Sequence, residues 1–161
     1  MPYGLILGID PGLAATGYGL LDQDNKVAAF GCIRTGAGAA GARLLQIVGE
    51  LRGLLAAHQV REAALEELFM GRNRTSLIGV AQARGAILAT LEAAGVAAFE
   101  YKPSQVKSLI TGYGAADKAQ IARMLAIQVH TAAKIDDHAA DAIAIALCHV
   151  RSRRVLAAVR A

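Results

Sequence analysis

The order of apolar and polar positions divides the chain into ten elements. Gly4–Asp10 is an apolar run closed by a carboxylate and followed by Pro11-Gly12, the pattern of a buried strand stopping at a turn. Gly17–Asp22 and Lys26–Arg34 read as two more strands, with Asp24-Asn25 as the hairpin signal between them. Three strands in succession predict an antiparallel meander. After a Gly/Ala-rich loop at Thr35–Gly41, Leu44, Ile47, Val48, Leu51, Leu54 and Leu55 recur with the 3.6-residue period. Arg43, Gln46 and Glu50 fall on another face, so a helix is predicted from about Ala42 to His58. Ala63–Glu67 is a fourth strand, again ending in carboxylates. Gly71–Thr75 is a polar, basic loop, and Thr75 or Ser76 can cap a helix running to about Ala94.

Val96–Tyr101 reads as a fifth strand, and Pro103 opens a short helix to about Ile110. Gly112-Tyr113-Gly114 breaks the chain before a helix over roughly Ala116–Val129, with Asp117 in its first turn. The last helix is expected to start at Asp136 or Asp137 and stop near Arg151, leaving a frayed basic tail. There is no internal repeat. The order β-β-β-α-β-α-β-α-α-α predicts an α/β fold with a mixed five-stranded sheet and helices on both faces. One domain is expected over residues 1–150, with residues 151–161 as a C-terminal tail.

Composition narrows the class. With 161 residues, of which 55% are hydrophobic and 19% charged, one domain can close a core without staples. Four Tyr, three Phe and no Trp make that core aliphatic. The longest run without a charged residue, Pro11–Leu21, is far shorter than the ~20 residues of a membrane span. The N-terminus lacks a basic stretch, and Asp10 interrupts its apolar run, so no signal peptide is expected. Cys32 and Cys148 give no disulfide framework and no zinc spacing; both thiols are expected buried in a reducing cytoplasm. The net charge of +4 is uneven: residues 101–161 hold nine Lys/Arg against four Asp/Glu, while residues 1–100 hold eight against nine. A basic last third permits a polyanionic partner.

Three groups of residues carry candidate chemistry. Asp10 closes the first strand, at the sheet edge where loops build sites. Glu66-Glu67 closes the fourth, and because successive strand residues point to opposite faces only one of them can share Asp10's side. The third group is Asp136-Asp137-His138-Ala139-Ala140-Asp141, ahead of the Ala-rich run Ala142–Leu147. His138 and Asp141 are spaced i, i+3 and share a helix face, with Asp137 as the rival for His138's place. Asp136 or Asp137 can also serve as a cap. The alanines allow that helix to approach the sheet closely. Strand-end carboxylates gathered with a helix-borne His/Asp pair suit a hard divalent cation, Mg²⁺ or Mn²⁺.

At this point the chain resembles the RuvC family, bacterial Holliday junction resolvases of the ribonuclease H-like superfamily. The resemblance rests on Gly8-Ile9-Asp10-Pro11-Gly12 with Thr16-Gly17-Tyr18-Gly19, then Ala64-Leu65-Glu66-Glu67-Leu68-Phe69, then Gln82-Ala83-Arg84-Gly85. Gln105-Val106-Lys107 and Asp141-Ala142-Ile143-Ala144-Ile145-Ala146 follow in order. It implies a ribonuclease H-like fold and a four-residue set of catalytic metal ligands at Asp10, Glu66, His138 and Asp141. His138 stands where the family's best-known pattern has Asp, which removes one negative charge and makes it a ligand or a proton carrier. The resemblance further implies two Mg²⁺ or Mn²⁺ ions per site and a homodimer that nicks a four-way DNA junction symmetrically, in recombination and repair. A branch-migration helicase complex is the implied partner, and the cytoplasm the implied compartment.

DNA contacts are expected from Arg72 and Arg74 in the basic loop, and the resemblance implies further ones from Lys107 and Lys118 and from Phe69, the aromatic near the site. The helix of Gly79, Ala81, Ala83, Gly85, Ala86 and Ala89 is expected at the dimer interface, or else packed on its own sheet. Other readings stay open: a non-catalytic junction-binding module, or a related nuclease acting on another nucleic acid. The segment Gly8–Gly12 with its hairpin also resembles the phosphate loop of sugar kinases and actin-like ATPases, a fold that needs two such domains.

Overall fold

The central strand of the sheet is the one that ends in Asp10. In the computed structural model, which describes residues 4–68 and 74–160, Leu5–Asp10 (β1) lies between Ala15–Leu21 (β2) and Val60–Glu66 (β4). Val27–Arg34 (β3) and Ala97–Tyr101 (β5) are the edges, giving the order β3-β2-β1-β4-β5. The meander β1–β2–β3 is antiparallel, and β4 and β5 run parallel to β1. The expected mixed sheet is therefore the observed one. Asn25 takes φ 63° in the β2–β3 hairpin, where the Asp22 carboxylate accepts from the N–H groups of Asp24 and Lys26 at 2.9 Å each.

Period-2 alternation sends neighbouring strand residues to opposite layers. Ile6, Leu21 and Ala64 pack with Val106, Ile110, Leu125, Ile143 and Leu147 on one face. Leu7, Leu20 and Leu65 pack with Ile47, Leu51, Ile87 and Leu91 on the other. The second layer belongs to Ala40–Ala57 (α1) and Arg74–Ala93 (α2). The first belongs to Pro103–Thr111 (α3), Lys118–Gln128 (α4) and Asp137–Arg160 (α5).

The packing of α5 decides where the site residues go. A Cβ built on Gly8 would stand 1.9 Å from the Ala142 carbonyl oxygen, and one on Gly17 would stand 2.1 Å from that of His138. No side chain fits at either strand position, so helix backbone lies directly on sheet backbone. Ala142 and Ala146 complete the contact from the helix side, as the Ala-rich run predicts.

Several expectations need correction. Helix α5 does not fray near Arg151 but runs to Arg160, since Arg151–Arg160 contains no Gly or Pro and is rich in good helix formers. Three of its arginines are engaged: Arg151 donates to the Leu109 carbonyl at 2.9 Å, Arg153 pairs with Glu62 at 3.0 Å, and Arg154 donates to the Gln23 carbonyl. Asp117 is the cap of α4 rather than a first-turn residue. Cys148 is buried, and burial pushes its thiol up to about 11, but Cys32 on the edge strand β3 is only partly covered. Among the described residues, no helix is long and apolar enough to cross a membrane.

One buried group had no counterpart in the sequence reading. His149 is 1% exposed, and its Nδ1 meets the Tyr101 hydroxyl at 2.6 Å while its Nε2 meets the Glu62 carboxylate at 2.7 Å. Burial is the main cause that lowers its pKa, against the opposing pull of Glu62. The pair ties α5 to β4 and β5 at a distance of two helical turns from Asp141.

Candidate active site

The first two carboxylates meet because β1 and β4 are adjacent and parallel. Parallel neighbours end at the same sheet edge, so Asp10 and Glu66 are brought together there. The turn after Asp10 is closed by Thr16, whose hydroxyl donates to the Gly12 carbonyl at 2.7 Å. Of the pair Glu66-Glu67, Glu66 is the last strand residue; Glu67 follows it, its N–H donating to the Tyr101 carbonyl at 2.8 Å.

Asp141 comes from α5. The Asp136 side chain accepts from the Ala139 N–H at 2.8 Å, capping the helix, so Asp136 is the cap the sequence left undecided between two residues. Asp10, Glu66 and Asp141 then line one cleft of about 330 Å³, together with Lys107, Asp117, Lys118 and Pro103. Lys118 holds its place as the first residue of α4, because Asp117 and Gln120 form a reciprocal cap with two 2.8 Å bonds. Lys107 projects from α3, whose start is fixed by Pro103 and by the Gln105 side chain accepting from the Lys102 N–H at 2.8 Å.

Electrostatics in the cleft are mixed. Burial is the largest influence on Asp141 and raises its pKa; Asp137 acts in the same direction, while Lys118 and His138 oppose it. The Lys118 ammonium stands 3.6 Å from the Asp141 carboxylate. His138 is half-buried, one turn before Asp141, with its backbone against Gly17 of β2, and it is not part of this cleft's wall.

Among the described residues, no three His, Cys, Asp or Glu side chains are drawn together as a ready-made metal cage. The donor chemistry fits a hard divalent cation nonetheless. Three carboxylates line one cleft, and one of them, the half-buried Asp141, already attracts a cationic group.

A second cleft, of about 170 Å³, opens on the α2 side of Glu66, lined by Asp10, Glu66, Glu67, Ser76 and Arg84 among others. In the sequence Arg84 stands out only as part of the motif Gln82-Ala83-Arg84-Gly85. The signal that could have singled it out is its position between Ala83 and Ile87, which lie wholly in the core. Helix α2 divides the small residues proposed for the interface. Ala83 is buried and Gly79 packs against Leu13, whereas Ala81, Gly85 and Ala89 form an outward stripe near Ile78, which is 62% exposed. Phe69 and Arg72 lie outside the described residues, and Arg74 opens α2.

The comparisons with known proteins bear on this arrangement directly. The family model described as crossover junction endodeoxyribonuclease RuvC matches residues 6–149. This chain belongs to the RuvC family. The crossover junction endodeoxyribonuclease RuvC of Coxiella burnetii (strain RSA 331) is 44% identical over 159 residues, covering 96% of this chain and 91% of that protein. That of Heliobacterium modesticaldum is 44% identical over 154 residues, covering 92% and 94%. Among solved structures, Thermus thermophilus RuvC in complex with a Holliday junction substrate superposes with a TM-score of 0.88 at 30% identity, covering 95% of this chain and 96% of that one. The yeast mitochondrial Holliday junction resolvase Ydc2 has a TM-score of 0.74 at 13% identity and covers 99% of this chain and 84% of its own, which extends the fold alone. The ribonuclease H-like architecture expected from the motifs is thus that of RuvC.

Proposed function

We propose that this chain is a divalent-metal-dependent endodeoxyribonuclease that resolves four-way DNA junctions by paired, symmetric nicks. The observation that carries the reading is the shared cleft in which Asp10, Glu66 and Asp141 face Lys107 and Lys118. Carboxylates suit cation binding, and ammonium groups beside them suit a phosphate backbone. The RuvC of Thermus thermophilus, bound to a Holliday junction, supports the substrate.

Asp10, Glu66 and Asp141, with His138 as a ligand or proton carrier beside Asp141, would hold Mg²⁺ or Mn²⁺, two ions per site, which supply an activated water and charge stabilisation at the leaving oxygen. The products are a 5′-phosphate and a 3′-hydroxyl, so two such cuts leave nicked duplexes that a ligase can seal. Lys107 and Lys118, on the wall of the same cleft, pair with backbone phosphates and set the strand's position without reading its sequence. Phe69, Arg72 and Arg74, which follow Glu66 in the sequence, add contacts to DNA.

The functional unit is a homodimer built through the outward stripe Ala81, Gly85 and Ala89 with Ile78. A branch-migration helicase complex as partner, and the cytoplasm as compartment, follow from the family resemblance.

The test compares a synthetic four-way junction with linear duplex of the same sequence, for binding and for cutting. Preference for the junction supports the reading, and equal affinity and equal cutting overturn it. In the same assay Lys107→Ala and Lys118→Ala each weaken junction binding and flatten the slope of log affinity against log salt by about one unit. An unchanged slope removes that lysine from the DNA interface.

A further inference from the structure

Arg84 is a charged side chain placed in an apolar layer. It is 9% exposed, and its helix neighbours Ala83 and Ile87 belong to the core beneath α2. A guanidinium there is tolerated only with its donors satisfied. Two partners do this. Nη1 donates to the main-chain carbonyl of Glu66, and Nη2 pairs with the Glu100 carboxylate on the edge strand β5.

The first partner is the informative one. The carbonyl of Glu66 and the N–H of Glu67 belong to a single peptide unit. Arg84 holds the C=O of that unit, and the Tyr101 carbonyl receives its N–H at 2.8 Å. The plane directly after Glu66 is therefore held at both ends, at the point where β4 stops. Holding that plane fixes ψ of Glu66, and with it the orientation from which the side chain leaves the backbone. Glu100, 45% exposed on its side chain, is half in solvent and contributes a screened charge.

We infer that Arg84 is a positioning residue for Glu66: its guanidinium locks the Glu66–Glu67 peptide so that the Glu66 carboxylate faces the cleft. This rests on the proposed role of Glu66 as a metal ligand. The competing role for Arg84 is a plain tie between α2 and β5 through Glu100.

The experiment uses the full chain with Arg84→Ala, Arg84→Lys and Glu100→Gln, in which Gln keeps an acceptor for Nη2. Single-turnover junction cleavage, junction affinity, thermal midpoint and Mn²⁺ binding to DNA-free protein by calorimetry are measured for each. Arg84→Ala is expected to cut about 10–100-fold more slowly and to bind Mn²⁺ more weakly by a similar factor, as for other residues that orient metal ligands. Its junction affinity stays within about twofold of wild type, and millimolar guanidinium restores part of the cutting. Glu100→Gln cuts and binds Mn²⁺ like wild type.

The inference is overturned if Glu100→Gln loses as much as Arg84→Ala, or if folded Arg84→Ala keeps wild-type cutting and Mn²⁺ affinity. Should Arg84→Ala not fold, Arg84→Lys decides. One ammonium cannot reproduce the planar fork, so at least about a fivefold loss in cutting and in Mn²⁺ affinity is expected, and wild-type values overturn the inference. If wild type cuts no DNA with either metal, the proposed function fails, and the Mn²⁺ titration still decides the role of Arg84.

Discussion

Asp10→Asn is expected to slow junction cleavage by at least about a thousandfold, or ~4 kcal/mol of transition-state stabilisation, while the junction remains bound. The side chains have the same shape, so β1 and its partners stay in place. What changes is the donor: a carboxylate becomes an amide, which binds a hard cation weakly. Asp10 lines both clefts, as do Glu66 and Pro103, so it faces whatever binds on either side. Binding should persist because Lys107 and Lys118 on α3 and α4 are untouched. The check is single-turnover cleavage beside a gel-shift titration of the same junction. A variant that still cuts at the wild-type rate would remove Asp10 from the site.

The second large effect concerns the fold beneath the site. Gly17→Ala places a methyl 2.1 Å from the His138 carbonyl oxygen, and Gly8→Ala places one 1.9 Å from that of Ala142. The clashing atoms are backbone, so no rotamer change relieves them. Helix α5 must lift from the sheet, and it carries both His138 and Asp141. Overpacking in cores commonly costs about 1–3 kcal/mol. A backbone clash this close is expected to exceed ~3 kcal/mol of a total of about 5–15. The thermal midpoint should fall sharply, and cutting should be lost with it. Gly53→Ala is the control: it lies on exposed α1 with nothing within 4 Å of a new Cβ, and is expected to stabilise by about 0.5–1 kcal/mol. A Gly17→Ala protein as stable as wild type would contradict the close contact of α5 with the sheet.

Much of this architecture was legible in the sequence because its signals are local. Apolar runs closed by Asp10 and by Glu66-Glu67 mark strand ends, and Leu44–Leu55 marks a helix by period alone. Period-2 geometry predicts that only one of Glu66 and Glu67 joins Asp10; Glu66 lines both clefts with it, while Glu67, past the strand end, lines only the α2-side cleft. Choosing Glu66 took the motif resemblance, and the cleft contains it. The Ala-rich run after Asp141 announced a close helix–sheet approach. The matching glycines are far apart in sequence, so the contact itself could not be read.

Other features depend on tertiary partners and left no local trace. Arg84 looks like any helix arginine until the Glu66 carbonyl and Glu100 are placed beside it. His149 is one residue past Cys148 and gives no hint of Tyr101 and Glu62 on either side of its ring. Helix α5 outruns its expected end because Arg151, Arg153 and Arg154 interrupt the apolar pattern after Val150 and read as a basic tail. The helix continues on propensity and on bonds from Arg151, Arg153 and Arg154 to distant elements. Lys118 could be assigned to DNA from the resemblance, but its contact with Asp141 required the fold.

The most direct test is single-turnover cleavage of a four-way junction with each strand labelled in turn, with Mg²⁺, with Mn²⁺ and with chelator. The account predicts metal-dependent nicks at symmetric positions in two opposing strands, with ends that a ligase reseals, and no cutting of linear duplex. Cutting that persists in chelator, or that falls equally on junction and duplex, would contradict it.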